Sequence, residues 1–168
     1  MSNTPNNNQP QKRPQWRKVS HRDARILIAA AEGKMPMMES SLKQGLSLET
    51  LYRRGETPLL LAAQGGHAEM VDFLLDQGAN IKHVDDLGLN ALCYAIMGDE
   101  PKIVKTLIDQ GADYYHKIPS TGQALIDFVR DDENTGAEIK QILEDAQKQQ
   151  RQSLKTTRKT VIKRRPKV

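Results

Sequence analysis

Glycines that recur at intervals of 33 residues are the feature that most restricts how this chain can fold. The interval separates Gly45, Gly78 and Gly111. The same spacing is kept by two further pairs, Gly33 with Gly66 and Gly55 with Gly88. Apolar residues share the register, because MVDFLLDQGAN at positions 70–80 aligns with IVKTLIDQGAD at 103–113. A fixed period of this length predicts an array of similar units that bury their apolar faces against one another.

Local signals divide each unit into two short helices. Thr57 followed by Pro58 predicts the start of a first helix, with the Thr57 hydroxyl capping free N–H groups. Gly65 and Gly66 can adopt the positive φ that ends this helix, and residues 68–77 predict a second helix with one apolar stripe. Helices of about ten residues are marginal in water, so the units must stabilise one another by stacking.

The unit at positions 55–79 resembles an ankyrin repeat. That family's unit starts its first helix with T-P-L-H-x-A, turns at G-H and ends an apolar second helix with G-A-D, and this chain has TPLLLAA, GGH and VDFLLDQGAN at those places. The next unit is in register, but has Asn90 and Ala91 in place of Thr-Pro and Cys93 in place of the histidine. The resemblance implies an all-α, ankyrin-like solenoid of stacked helix-turn-helix pairs joined by hairpin loops.

Four units fit this frame, and a basic segment flanks them on each side. Residues 1–22 hold 5 Lys or Arg and 147–168 hold 9, with no acidic residue in either segment, whereas 23–146 carry a net charge of −10. We therefore predict an acidic array between disordered basic tails, with degenerate units as its caps. The last helix can continue for a turn or two into the C-terminal tail before β-branched Thr and Val residues weaken it. The predicted units are residues 23–51, 52–84, 85–117 and 118–146.

The sequence contains no arrangement typical of catalysis or metal binding. Its four histidines lie in a tail and at separate turns without metal-ligand spacing, and Cys93 is its single cysteine. We expect His67 to order its turn by hydrogen bonding and Cys93 to be a small buried residue. The Gly-Gly-His turn joins two helices, whereas a phosphate loop joins a strand to a helix. We therefore predict a non-enzymatic protein with no metal and no cofactor.

Partner contacts are predicted at the hairpin tips and on the exposed side of the first helices, which the resemblance implies line a concave surface. Leu87 and Leu89 are apolar residues in a loop, which is typical of a partner-facing patch, and partial burial against the next hairpin is the alternative. These positions predict an adaptor or inhibitor that binds a protein as a monomer. The candidate residues are Arg53, Arg54, Glu56, Gln64, Asp86, Leu87, Leu89, Met97 and Tyr115.

The basic ends leave other functions open. Lys163, Arg164, Arg165 and Lys167 resemble a short nuclear-import signal, although such a tail can also contact nucleic acid or another anion, or keep the protein soluble. A nucleic-acid or chromatin-associated factor is therefore the first alternative to the adaptor. A pathogen effector that acts on host proteins is the second.

The chain shows neither a signal-peptide core in its first 20 residues nor an apolar run of the roughly 18 residues that a membrane helix needs. A single cysteine gives no indication of an oxidising compartment. We expect the cytoplasm or the nucleus, with delivery into a host cell without a conventional signal peptide as the alternative.

Overall fold

The structure, a computed structural model, describes residues 19–163, with side chains described as far as residue 155. This part of the chain contains eight helices and no strand, so the predicted all-α fold is confirmed. The helices are α1 (His21–Ala31), α2 (Met35–Lys43), α3 (Pro58–Gln64), α4 (Ala68–Asp76), α5 (Ala91–Met97), α6 (Pro101–Asp109), α7 (Leu125–Asp131) and α8 (Ala137–Lys163).

The helices stack in two rows that follow the 33-residue period. The first helices α1, α3 and α5 pack against one another in one row, and the second helices α4, α6 and α8 pack in the other. Ala29, Ala62 and Ala95 are fully buried at equivalent places in the first row. Because an alanine side chain is a single methyl group, these positions allow neighbouring helices to approach closely.

Hairpin loops join consecutive units, and they also repeat. The Tyr52 N–H donates to the Glu56 carbonyl at 2.8 Å, and 33 residues later the Asp85 N–H donates to Leu89 at 3.0 Å. The third hairpin closes from Ile118 to the carbonyl of Gln123 at 2.9 Å, so it holds one residue more. The three hairpins, residues 52–56, 85–89 and 118–123, are called the hairpin row below.

The predicted helix cap at Thr57 is wrong. Thr57 is the N-cap residue of α3 and has extended backbone, but its side chain makes no capping bond. Its buried hydroxyl has no hydrogen-bond partner in the described part of the protein. The helix begins without it, because Pro58 occupies the first turn and the Leu61 N–H reaches the Thr57 carbonyl at 3.0 Å.

The C-terminal segment is helical over a longer stretch than the turn or two beyond residue 146 that the sequence suggested. Helix α8 continues through this point to Lys163. The segment is rich in Gln, Lys and Arg, which are good helix formers. Its first turns are also fixed to the preceding connector, because Tyr114 Oη donates to Gln150 Oε1 at 2.7 Å and Gln147 Nε2 donates to Tyr115 Oη at 3.2 Å.

The predicted N-terminal tail falls mostly outside the described residues. Within the described part, α1 begins at His21, and the Ser20 side chain accepts a hydrogen bond from the Asp23 N–H at 3.0 Å.

The last unit keeps the two-helix pattern with a longer turn, since residues 132–136 separate α7 from α8 where residues 98–100 separate α5 from α6.

Candidate functional site

Hydrogen bonds both between and within the units hold the hairpin row together. The Asp86 N–H donates to the Arg54 carbonyl at 2.8 Å. His83 Nε2 donates to the Gly55 carbonyl at 2.7 Å, and His116 Nε2 makes the equivalent bond to Gly88 at 2.6 Å. Sequence reasoning missed this pair, although the 33-residue spacing of the two histidines was a visible signal.

His67 forms a hydrogen bond, but to the neighbouring unit. Its Nε2 lies 2.9 Å from the carbonyl oxygen of Ala31 at the end of α1. Gly33 must stay a glycine beside this ring, because its φ is +65° and an added Cβ would lie 2.7 Å from His67 Nδ1. This bond therefore fixes the turn between α3 and α4 against the end of α1. The Nε2 atom of His67 is engaged in a structural contact.

Glu56 was predicted to face a partner, but the structure places its side chain in the interior, 3% exposed. Its carboxylate accepts from Arg54 N–H at 2.8 Å and from Arg54 Nε at 2.9 Å. The hydrogen bond and the charge of Glu56 raise the pKa of Arg54 above its ordinary value. Glu56 is buried because the hairpin turns tightly and brings the carboxylate back onto the backbone of the same hairpin.

Asp85 orders the next hairpin in a similar way. Its Oδ1 accepts from the N–H groups of Leu87 at 2.9 Å and Leu89 at 2.8 Å, and its Oδ2 accepts from Tyr94 Oη at 2.7 Å. Burial, followed by the hydrogen bond to Asp85, raises the pKa of the Tyr94 phenol. This buried network keeps the tip of the second hairpin in one conformation.

The remaining candidates differ in how much surface they offer. Leu87 is 49% exposed, Met97 71% and Tyr115 44%. Leu89 is half-buried and packs against the core, so the alternative of partial burial holds for this residue. Arg53, Gln64 and Asp86 are exposed, and Arg54 is half-buried. The basic positions Lys163, Arg164, Arg165 and Lys167 lie outside the described side chains.

Three further exposed apolar residues were not identified from the sequence. Ile28 of α1, Val84 before the second hairpin and Phe128 of α7 are all exposed. Ile28 stands 33 residues before Leu61 and therefore occupies an equivalent helix position. With Leu61 and Tyr52 it lines an apolar groove of 310 Å³. The 33-residue register could have identified Ile28 from the sequence, because this register extends further into the first unit than the ankyrin motif does.

Exposed apolar residues are distributed unevenly among the helices and connectors of the described part. Of the seven large apolar side chains exposed in the described part, six lie on first helices or in the connectors between units. The seventh, Leu154, lies on α8, and none lies on α2, α4 or α6. We call the side formed by the first helices and the hairpin row the partner face.

The described residues provide few reactive side chains on or near the partner face. Cys93 is buried as expected, and burial raises the pKa of its thiol, which disfavours the reactive thiolate. Among residues 19–155, no three or more His, Cys, Asp or Glu side chains are grouped so that they could hold a metal ion. No described helix combines the length and the apolar character needed to cross a membrane.

Comparison with known families agrees with the geometry. A family model described as ankyrin repeats, in three copies, matches residues 26–118. The match begins in the middle of α1 and ends at the first residue of the third hairpin. No curated protein matches the chain. Repeats of this kind generally mediate protein–protein interactions and are typically non-enzymatic. The chain belongs to the ankyrin-repeat family.

Proposed function

We propose that this protein is a non-enzymatic adaptor or inhibitor that binds a protein partner on its partner face. The observation that carries the proposal is the uneven distribution of exposed apolar side chains, since four of the seven in the described part, Ile28, Leu87, Met97 and Phe128, lie on the first helices or in the hairpin row and none lies on α2, α4 or α6. Scattered apolar residues are normal on a soluble protein, but their concentration on one face marks an interaction surface.

The partner face is also well suited to binding because its backbone is fixed before a partner arrives. Asp85 restrains the backbone on both sides of the Leu87 tip, and His116 ties the same hairpin to the connector that follows α6. A surface that is already ordered loses less conformational entropy on binding. Two charged and exposed residues, Arg53 in the first hairpin and Asp86 in the second, provide a polar rim. Such a rim usually surrounds the apolar centre of an interface.

The test compares two substitutions on the partner face with one elsewhere. Partners would be identified by proximity labelling with the full chain, and the affinity of a purified partner measured by isothermal titration calorimetry. We expect Leu87→Asp and Met97→Asp each to weaken binding about tenfold or more, because a charge would be buried in an apolar contact. Leu89→Asp is unsuitable, because Leu89 packs against the core and its loss would perturb folding.

Leu154→Asp is the matched control, since Leu154 is equally apolar and 64% exposed but lies on α8. Thermal unfolding followed by circular dichroism would verify that all three variants are folded. Unchanged affinity in both partner-face variants, with loss in the control, would place the binding surface elsewhere.

A further inference from the structure

The apolar groove beside Ile28 lies at the N-terminal end of the stack, where the described part of the chain begins. It has a volume of 310 Å³, and all the residues that line it are aliphatic or aromatic. Ile28 is 45% exposed and Ala31 is exposed, while Val19, Ala24 and Tyr52 are half-buried. These five side chains therefore offer apolar surface to a ligand. We call this site the α1 groove.

The chain enters α1 at the wall of this groove. Because Ser20 is the N-cap residue, Val19 and Ala24 hold the N′ and N4 positions, and both line the groove. An apolar pair at these two positions is a hydrophobic staple, which fixes the angle at which a chain enters its helix. The Ser20 hydroxyl also donates to Asp23 Oδ2 at 2.7 Å. The segment that precedes Val19 therefore starts from a fixed point beside the α1 groove.

Residues 1–18 contain one large side chain that suits the groove. Trp16 and Met1 are the only apolar residues other than proline in that segment, and Trp16 is the single tryptophan of the chain. Three residues of extended chain span at most about 11 Å, so Trp16 is tethered within reach of the groove. An indole ring buries a large apolar area and can pack against the ring of Tyr52.

The short tether favours Trp16 of the same chain over other occupants. A ligand on a short linker is held at an effective concentration of roughly millimolar or more, without any further contact. The same residue of a second molecule is present only at the protein concentration. A contact that is weak between separate molecules is therefore populated within one chain.

We propose that Trp16 docks in the α1 groove of its own chain. Its indole covers the exposed side chain of Ile28 and packs against Tyr52. Since Ile28 belongs to the partner face, the docked segment covers the N-terminal end of that face and leaves when a partner binds there. Only this consequence rests on the proposed function, because the contact between Trp16 and the groove requires no partner.

Fluorescence of the full chain tests the contact, because Trp16 is its only tryptophan. We expect emission at a shorter wavelength than that of the urea-unfolded chain, since the indole leaves water on docking. Acrylamide quenching measures the same burial independently. Neither measurement includes a partner, so this proposal and the partner-face proposal can fail separately.

The variant Ile28→Asp locates the contact. We expect it to shift the emission to longer wavelength, because a charge in the groove excludes the indole. We also expect it to raise the acrylamide quenching constant about threefold or more, which corresponds to a docked fraction of about two thirds or more in the native chain.

Leu87→Asp is the matched control. It introduces the same charge at an apolar side chain of the same size and similar exposure, 49%, on the same face, and should leave emission and quenching unchanged. Circular dichroism would verify that both variants are folded. Ile28→Ser, which introduces no charge, takes the place of Ile28→Asp if that variant unfolds.

Three results would overturn the proposal. Equal emission and quenching in the native chain and in the folded Ile28 variant would mean that Trp16 does not occupy the groove. Equal release of Trp16 by Leu87→Asp would place its contact elsewhere on the partner face. An emission maximum that changes over a hundredfold range of protein concentration would assign the groove to Trp16 of a second copy.

Discussion

The two central units, residues 52–84 and 85–117, have the same fold but different polar contacts. The first keeps nearly the whole ankyrin pattern, yet the hydroxyl of its signature Thr57 has no partner. The second has Asn90 in place of that threonine, but this Asn90 caps α5, and Tyr94 bonds to Asp85. Agreement with the motif therefore identifies the fold of a unit without identifying the hydrogen bonds that stabilise it.

The substitutions that distinguish the units lie on adjacent positions of the first helix. Leu60 and Leu61 of α3 stand 33 residues before Cys93 and Tyr94 of α5. All four are buried. The first unit thus has only hydrocarbon where the second has two titratable groups, and the units should respond differently to mutation and to pH.

Core truncation should have the largest effect and should affect both units alike. Leu59 and Leu92 are equivalent positions with at most 1% exposure. We expect Leu59→Ala and Leu92→Ala each to lower the free energy of unfolding by about 2–5 kcal/mol. Urea denaturation followed by circular dichroism would measure both. A loss below about 1 kcal/mol at one site only would show that the two units are not equally packed.

Removing the Tyr94 hydroxyl should affect only the second unit. We expect Tyr94→Phe to lower the free energy of unfolding by about 1–3 kcal/mol, because Asp85 Oδ2 then loses its donor inside the protein. Tyr115→Phe, in an exposed position, is the control and should change stability by less than about 0.5 kcal/mol. Chemical denaturation at neutral pH would compare them, and equal losses would contradict a special role for the buried bond.

The second unit should also make the protein sensitive to alkali. Burial raises the pKa of both Cys93 and Tyr94, so the unfolded chain loses these protons first as the pH rises. Stability from these groups is complete below their ordinary pKa values near 9 and 10, and then falls by at most about 1.4 kcal/mol per pH unit for each group. Denaturation between pH 7 and 11 should show a shallower decline for Cys93→Ala, Tyr94→Phe than for the native chain, and identical slopes would refute the assignment.

The two caps should give the smallest effects, of opposite sign. We expect Asn90→Ala to cost about 1 kcal/mol, because the Cys93 N–H loses its acceptor at 3.0 Å. Thr57→Val should be neutral or stabilising by up to about 1 kcal/mol, because it replaces an unpartnered buried hydroxyl with a methyl of similar shape. Melting temperatures of the two variants would decide, and a destabilised Thr57→Val would mean that the hydroxyl has a partner after all.

Much of the architecture could be predicted because it is encoded locally. The 33-residue period, the apolar stripe of α4 and the positive-φ glycines such as Gly66 and Gly78 are properties of short segments. The exposure of Leu87 and Met97 agrees with the placement that register suggested for them. Whether these residues bind a partner is still a prediction.

The partners of several side chains could not be predicted from local patterns, because the fold brings together residues that are far apart in the sequence. His83 and Gly55 are 28 residues apart, as are His116 and Gly88, and His67 reaches 36 residues back to Ala31. No local pattern reports such a bond. The burial of Glu56 has a related origin, since its exposure depends on how the hairpin turns its carboxylate back onto Arg54.

The sequence by itself thus determined the repeat, the helical class and the family, because periodicity and turn residues act over a few residues at a time. Only the tertiary structure decided which polar side chains are buried and hydrogen-bonded, how far α8 extends, and that basic side chains of α7 and α8 line a groove between these helices. These outcomes require distant segments to pack, because a hydrogen bond or a groove exists only once both of its sides are in place.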